Sequence, residues 1–215
     1  MFWKELQIIK PRRGSLLGLA VFLSLWGRLK SLPRSGWLIG GVGRAGAESI
    51  ADHVSRTVLI TSIFCDLINS GQEYSVDCEK ALKMALLHDL PEVYTSDMGK
   101  ETTQYIGLEV RRRAEEKALK DLLAMLPRNL QDGYWDISAE FRNQKSIESQ
   151  LVRVADKLEV VLQALEYEKA GYLHGLTKGM LEELDGAAKI CDNPLINDVI
   201  RDVKENFGIV SVEEK

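Results

Sequence analysis

The chain has 215 residues, of which 45% are hydrophobic and 28% are charged, and its formal net charge is −4. This composition is typical of a globular protein with enough apolar residues for one buried core. The negative charge excludes a broad basic surface, so we predict no nucleic-acid partner. The three cysteines, Cys65, Cys78 and Cys191, are odd in number and widely spaced, which indicates reduced thiols in a cytoplasmic protein.

The N-terminal part of the chain combines an extension, residues 1–14, with a strongly apolar segment. The apolar run at residues 16–26 follows "KPRR", as in a signal peptide, but it is too short to cross a bilayer as a helix. We therefore predict a buried first helix capped by Ser15, and no membrane partner. A helix that lies on a membrane surface is the alternative.

The rest of the chain has the apolar spacing of helices, and alternating β-branched runs are absent. Capping patterns predict helices that begin at Ser49, Ser75, Ser146 and Asn193. These helices are predicted to end, in chain order, near Gly71, Pro91, Gly171 and Gly208. One long charged helix is predicted over residues 101–126. The sequence thus predicts a single all-α domain over residues 15–215, with about six to eight helices.

Two segments resemble functional motifs only weakly. The segment "LPRSGWLIGGVGRAGAES", residues 32–49, holds five glycines, but it lacks the Lys-Ser/Thr ending and the preceding strand of a phosphate-binding loop. The cluster "RRRAEEK", residues 111–117, carries both charges at helical spacing. We interpret this cluster as a solvated helix face with internal ion pairs.

A group of histidine and aspartate residues is spread over three predicted helices. His53 lies early in one helix, His88 and Asp89 close the next, and Asp156 lies among apolar neighbours in a third. A buried aspartate is costly unless its charge is compensated, and a divalent cation would compensate it. Taken singly, each residue is more often a packed or surface side chain. Together, two imidazoles and two carboxylates would suit Mn²⁺, Co²⁺, Fe²⁺ or Zn²⁺, with open positions for water and substrate.

The order of these residues resembles the signature of the HD-domain metal-dependent phosphohydrolase superfamily. Four segments resemble its 5′-deoxynucleotidase branch: "RLKSLPRSGW" (28–37), "ESIADHVSRTVLI" (48–60), "ALLHDLPEVYTSD" (85–97) and "VRVADKLEVVLQALEYEKAG" (152–171). The likeness covers about residues 20–172 and leaves out the extension and the helical C-terminal tail. It implies an HD-domain helical bundle that hydrolyses deoxynucleoside 5′-monophosphates, with one divalent metal ion held by His53, His88, Asp89 and Asp156.

The resemblance also implies roles for residues outside the metal site. Glu92, three positions after Asp89, corresponds to the catalytic glutamate of that branch. Arg34 and Trp37 would hold the phosphate and the sugar, and Asp97 would accept a hydrogen bond from a sugar hydroxyl. Ser35-Gly36 separates Arg34 from Trp37 here, whereas some relatives have the two residues adjacent.

Other readings of the same chemistry stay open. An HD hydrolase could act on a triphosphate, a cyclic dinucleotide or an alarmone, or the chain could be a non-catalytic metal-binding nucleotide sensor. The absence of a second domain and of extra basic loops to grip polyphosphate favours a small nucleotide substrate. The resembling family often forms homodimers, and the apolar first helix and the aromatic segment "DGYWDISAEF", residues 132–141, are candidate interface regions.

Overall fold

The computed structural model describes residues 16–71, 75–172 and 177–206. These residues form α-helices, a 3₁₀ helix at Gly27–Ser31 and an isolated bridge between Pro33 and Ser49, and no strand longer than that bridge. In chain order, the α-helices are α1 (Leu16–Trp26), α2 (Ser35–Ile39), α3 (Ile50–Ser70), α4 (Cys78–Leu87), α5 (Glu92–Thr95), α6 (Lys100–Ile106), α7 (Leu108–Leu123), α8 (Arg128–Asn143), α9 (Ile147–Lys169), α10 (Thr177–Cys191) and α11 (Pro194–Asn206). The all-α prediction is confirmed, while the predicted cap Ser15 and the predicted end Gly208 lie outside the described residues.

Three helix starts follow the predicted capping. Before α3, the Ser49 backbone N–H donates to Asp52 Oδ2 at 2.9 Å, and the Asp52 N–H donates to Ser49 Oγ at 3.2 Å. Ser146 Oγ accepts from the Ser149 N–H at 3.3 Å before α9. Asn193 Oδ1 accepts from the amide three residues later, also at 3.3 Å, before α11. Each cap satisfies amide groups that have no partner inside their own helix.

Two predicted helices differ from the structure. The helix predicted from Ser75 begins at Cys78, because the Asp77 carboxylate accepts from the amide three residues on, at 3.0 Å, and caps it. The single charged helix predicted over residues 101–126 is wrong. It is divided into α6 and α7 at Gly107, whose φ of 85° is a left-handed conformation that glycine adopts without steric cost.

The chain divides into two compact units. The first unit consists of residues 16–54 and 86–140, and the second of residues 55–85 and 141–206 within the described chain. In the first unit, α5 lies against α7 and the 3₁₀ helix. In the second unit, α9 lies along α10. The prediction of one domain over residues 15–215 stays a prediction.

Helix α1 is buried on one face only. Val21, Phe22 and Leu25 are buried, whereas Leu17 and Leu23 are 52% and 62% exposed. The predicted burial of the first helix is therefore confirmed for one face. Among the described residues, every helix is too short or too polar to span a bilayer.

An ion-pair network in the second unit fixes α9. Arg56 on α3 pairs through Nε with Glu159 Oε1 at 3.2 Å and through Nη1 with Glu166 Oε1 at 2.8 Å. Its Nη2 also donates to Gln163 Oε1. Glu159 is fully buried, so this guanidinium compensates a carboxylate that water does not reach. The network holds the helix that carries Asp156.

Candidate metal and active site

Three of the four predicted ligands belong to the first unit and converge there. His53 Nε2 lies 3.2 Å from His88 Nε2. Asp89 Oδ2 lies 3.6 Å from the first of these nitrogens and 3.3 Å from the second. His53 lies in the first turn of α3, and His88 and Asp89 lie in the turn that follows α4. The end of one helix and the start of another thus bring two imidazoles and a carboxylate together.

These three side chains fit a divalent cation. Nitrogen and oxygen ligands about 2.1 Å from a common ion, at tetrahedral or octahedral angles, are about 3.0–3.5 Å apart, which matches the observed separations. The imidazoles are 0% and 3% exposed, so two facing nitrogen atoms are enclosed with little water to bind. A cation between them satisfies both lone pairs. The histidine and carboxylate atoms here can therefore hold a metal ion.

The protonation state of Asp89 suits a metal ligand. Burial raises its pKa, but His88, Arg34 and His53 outweigh this effect and lower the pKa below the usual range of an aspartate. Asp89 is therefore ionised at neutral pH, as a metal-binding carboxylate must be.

Asp156, the fourth predicted ligand, lies in the second unit on α9. It is buried, and Ala155 and Leu158 beside it are buried too, as the sequence predicts. Lys157 Nζ lies 3.4 Å and Arg153 Nη1 lies 3.7 Å from its Oδ2 atom. The buried carboxylate thus lies within ion-pair distance of two cations. Its role as a ligand stays a prediction.

Arg34 lies next to the ligands, immediately before α2. Its Nη1 atom donates to Asp89 Oδ2 at 3.1 Å. The surrounding loop is attached to the start of α3, because the Arg34 N–H donates to the Glu48 carbonyl at 3.0 Å and the Ile50 N–H donates to the Leu32 carbonyl at 2.9 Å. The glycine-rich segment thus presents a guanidinium to Asp89, a predicted ligand.

Trp37 and Asp97 shape the same loop. Trp37 is 2% exposed, and its indole N–H donates to Glu48 Oε1 at 2.7 Å. Asp97 Oδ2 accepts from the backbone N–H of Ser35, the first residue of α2. Both contacts hold the backbone that carries Arg34. The predicted contacts of Trp37 and Asp97 with a sugar stay predictions.

Glu92, the predicted catalytic residue, opens α5 beside the ligands. It is 4% exposed, and its Oε2 atom has no hydrogen-bond partner among the described residues. Burial raises its pKa well above the usual value, and the charges of Asp89 and Asp97 raise it further. A glutamate whose pKa is moved toward neutrality can take up and release a proton during a reaction.

Comparison with known proteins identifies the family. The HD domain family model matches residues 26–184. The chain belongs to the HD domain family. In sequence, it is 30% identical over 165 residues to human 5′-deoxynucleotidase HDDC2, covering 77% of this chain and 76% of that protein. It is also 30% identical over 207 residues to the Schizosaccharomyces pombe 5′-deoxynucleotidase hdd1, covering 93% of this chain and 96% of that protein.

Solved structures share this fold. A conserved hypothetical protein from Pyrococcus furiosus superimposes with a TM-score of 0.71 at 33% identity, covering 88% of this chain and 98% of that one. A predicted metal-dependent phosphohydrolase from Magnetospirillum magnetotacticum superimposes with a TM-score of 0.60 at 16% identity, covering 92% of this chain and 96% of that one, a likeness of fold alone. The predicted superfamily and helical architecture are confirmed.

Two residues of this HD domain were not identified from the sequence. Glu48 is buried and accepts the Trp37 indole N–H, and its only sequence signal is its place before the cap Ser49. Arg111 was assigned to a solvated helix face, yet it is partly buried and its charge acts on Glu92. In the sequence, the signal for the different environment of Arg111 is Gly107, which divides α6 from α7.

Proposed function

We propose that this HD protein is a metal-dependent 5′-deoxynucleotidase, which converts a deoxynucleoside 5′-monophosphate and water into a deoxynucleoside and phosphate. The main support is the approach of His53, His88 and Asp89 within 3.6 Å of one another, near the buried acid Glu92. The names of the human and fission-yeast relatives support the choice of substrate class. We propose that Asp156 completes the ligand set around one Mn²⁺, Co²⁺, Fe²⁺ or Zn²⁺ ion.

The proposed chemistry is hydrolysis of a phosphate ester. A bound divalent ion would supply Lewis acidity for the phosphate and a lower pKa for water at the site. Glu92 takes a proton from the attacking water, whose oxygen forms a bond to phosphorus. The bond from phosphorus to the 5′-oxygen breaks, and Glu92 returns the proton to that oxygen. Its raised pKa suits both transfers.

The loop residues would hold the substrate. Arg34 lies against Asp89, and its guanidinium would bind phosphate oxygens as negative charge develops. Asp97 would accept a hydrogen bond from a sugar hydroxyl. Trp37 would form the apolar wall beside the sugar, where little room for a 2′-hydroxyl favours deoxyribose. All three contacts are parts of the proposal.

A nucleotide panel tests the activity. Purified protein would be assayed for phosphate release from each deoxynucleoside monophosphate and its ribonucleotide counterpart, with Mn²⁺ or Co²⁺ added and with a chelator as control. We expect faster release from the deoxy series and none with the chelator. Release from neither series would contradict the proposal. Turnover of triphosphates or cyclic dinucleotides alone would favour a larger substrate, and metal binding without turnover would favour a nucleotide sensor.

The identity of the ion and of the fourth ligand can be tested together. Metal analysis of protein purified without chelator identifies the bound ion. Asp156→Ala is expected to lower the bound metal, whereas Lys169→Ala, which changes an exposed residue at the end of the same helix, should retain it. Equal metal content in both variants would remove Asp156 from the ligand set.

We further propose a cytoplasmic homodimer in which residues 15–215 act as one domain. Three free cysteines support a reducing compartment. The exposed Leu17 and Leu23 on α1 support a subunit interface. Light scattering on size-exclusion fractions should give twice the monomer mass, and Leu23→Glu should halve it. A monomeric wild type would contradict the dimer, and two separate unfolding transitions would contradict the single domain.

A further inference from the structure

Helix α7 carries consecutive arginines whose surroundings differ. Arg113 is 77% exposed, and its Nε atom bonds to Glu109 Oε1 at 2.9 Å on the same helix. Arg111 is 28% exposed, its Nε atom bonds to Glu115 Oε1 at 2.6 Å, and its Nη1 atom donates to Thr103 Oγ1 on α6 at 3.3 Å. Arg113 is thus an ordinary surface residue, whereas Arg111 is held by two helices.

Helix α7, which carries Arg111, lies against α5, whose first residue is Glu92. The charge of Arg111 lowers the pKa of Glu92 against the larger upward effect of burial. In return, although burial lowers the pKa of Arg111, Glu115 and then Glu92 and Asp89 raise it. Within the described residues, Arg111 forms no hydrogen bond or ion pair with Glu92 or Asp89. Its Nη2 atom, which has no hydrogen-bond partner there, remains available to a ligand.

The charge balance of the proposed active site favours a role for Arg111 in binding an anion. The charges of Asp89 and Asp97 act on Glu92, and these carboxylates would repel a phosphate monoester. Such an ester carries about −1.5 to −2 charges near neutral pH. A divalent ion and Arg34 together supply three positive charges, which these carboxylates largely cancel. A second guanidinium offsets the charge that the substrate adds.

We propose that Arg111 is a second phosphate-binding arginine of this site and that its Nη2 group donates to a non-bridging oxygen of the substrate phosphate. The inference rests on the proposed function, since it assigns a residue to the substrate of that reaction. Thr103 and Glu115 already fix the side chain, so little rotamer freedom is lost when the phosphate binds. Arg34 contacts the phosphate from the glycine-rich loop and Arg111 from α7.

Arg111→Met tests the assignment, with Arg113→Met as the matched control on the same helix. In the metal-loaded enzyme, Arg111→Met should lower kcat/KM for a deoxynucleoside monophosphate about 10- to 100-fold, the loss typical of a hydrogen bond to a charged group. Arg111→Lys should recover part of this loss, because it restores the charge without the planar fork. Arg113→Met should stay within about twofold of wild type. Metal content should be equal in all variants.

Binding of inorganic phosphate gives a second readout that requires no turnover. Calorimetry on the metal-loaded proteins should show about tenfold weaker phosphate binding for Arg111→Met and unchanged binding for Arg113→Met. If the wild type hydrolyses no deoxynucleotide, the proposed function fails, and this comparison still decides the role of Arg111.

Two results would overturn the proposal. The first is phosphate binding by Arg111→Met that equals that of the control. The second is metal loss from Arg111→Met, which would make Arg111 a support of the ligands. If Arg111→Met does not fold, Arg111→Lys takes its place in the binding measurement. Weaker phosphate binding by Arg111→Lys than by wild type would support the proposal, and unchanged binding would contradict it.

Discussion

Replacing Glu92 with glutamine keeps the shape of the side chain and removes its ability to move a proton. Glu92 is 4% exposed, and one of its oxygens lacks a hydrogen-bond partner among the described residues. The buried charge therefore opposes folding of the metal-free protein, while the same group serves the proposed reaction. Glu92→Gln should make the enzyme slower and its metal-free form more stable.

The expected rate loss and the expected stability gain both follow from the burial of Glu92. Loss of a positioned acid–base group lowers the rate about 10²- to 10⁴-fold, or about 2.7–5.4 kcal/mol of barrier. Removal of a buried, poorly satisfied carboxylate should stabilise the fold by about 1–3 kcal/mol. Burial raises the pKa of Glu92 in the folded protein above its value in the unfolded chain. The stability of the wild-type protein is therefore highest below the unfolded-state pKa of Glu92, and it falls as the pH rises through the folded-state pKa. The gain from Glu92→Gln is thus absent near pH 4 and present at pH 7–8.

The assay combines three measurements on the same two proteins. Phosphate release is measured with metal, bound metal is measured by elemental analysis, and chemical denaturation of the chelated proteins is followed from pH 4 to pH 8. We expect slower release, equal metal content and a stability difference that grows with pH. A variant that loses its metal would make Glu92 a ligand, and one that is less stable than wild type at pH 8 would refute the reasoning about its buried charge.

Other perturbations test the ligands and the fold. Arg56→Met should destabilise the protein by about 3–5 kcal/mol in denaturant unfolding, since Glu159 loses the cation that compensates its buried charge; a loss below about 1 kcal/mol would contradict this. His88→Ala should lower bound metal and activity together, because it removes one of the two facing imidazole nitrogens. Metal content that is unchanged in His88→Ala would count against histidine ligands. Gly107→Ala should cost about 1–2 kcal/mol through its φ of 85°, whereas Gly133→Ala inside α8 should be neutral or stabilising; equal effects at both glycines would exclude backbone strain.

Local interactions made much of the fold predictable. Ser49 and Ser146 each cap their helix through an amide three residues away, so the sequence alone contains both partners. The same locality explains the error at Ser75, because Asp77 offered a competing cap only two residues later. At Gly107, a glycine inside a helical pattern was compatible with either one helix or two, and the structure has two.

The site was predictable to the extent that its residues resembled a family signature. Glu92 was singled out by its distance from Asp89, but its burial and altered pKa depend on the packing of α5. Arg111 was not singled out, because it lies in the same run of three arginines as the exposed Arg113. Its different environment arises from Thr103 on another helix, and helix-to-helix contacts cannot be read from the spacing of charges.

The hydrogen bond from Arg34 to Asp89 has a consequence for how ligands affect one another. The Arg34 guanidinium lies between Asp89, which can hold a cation, and the region where we propose that phosphate binds. A cation bound by Asp89 would draw electron density from this carboxylate and weaken its bond to Arg34, so that the guanidinium would bind phosphate more strongly. By thermodynamic reciprocity, phosphate that engages Arg34 strengthens the hold of Asp89 on the cation by the same factor. Cation and nucleotide should therefore bind with positive cooperativity, and each should be released more readily once the other has left.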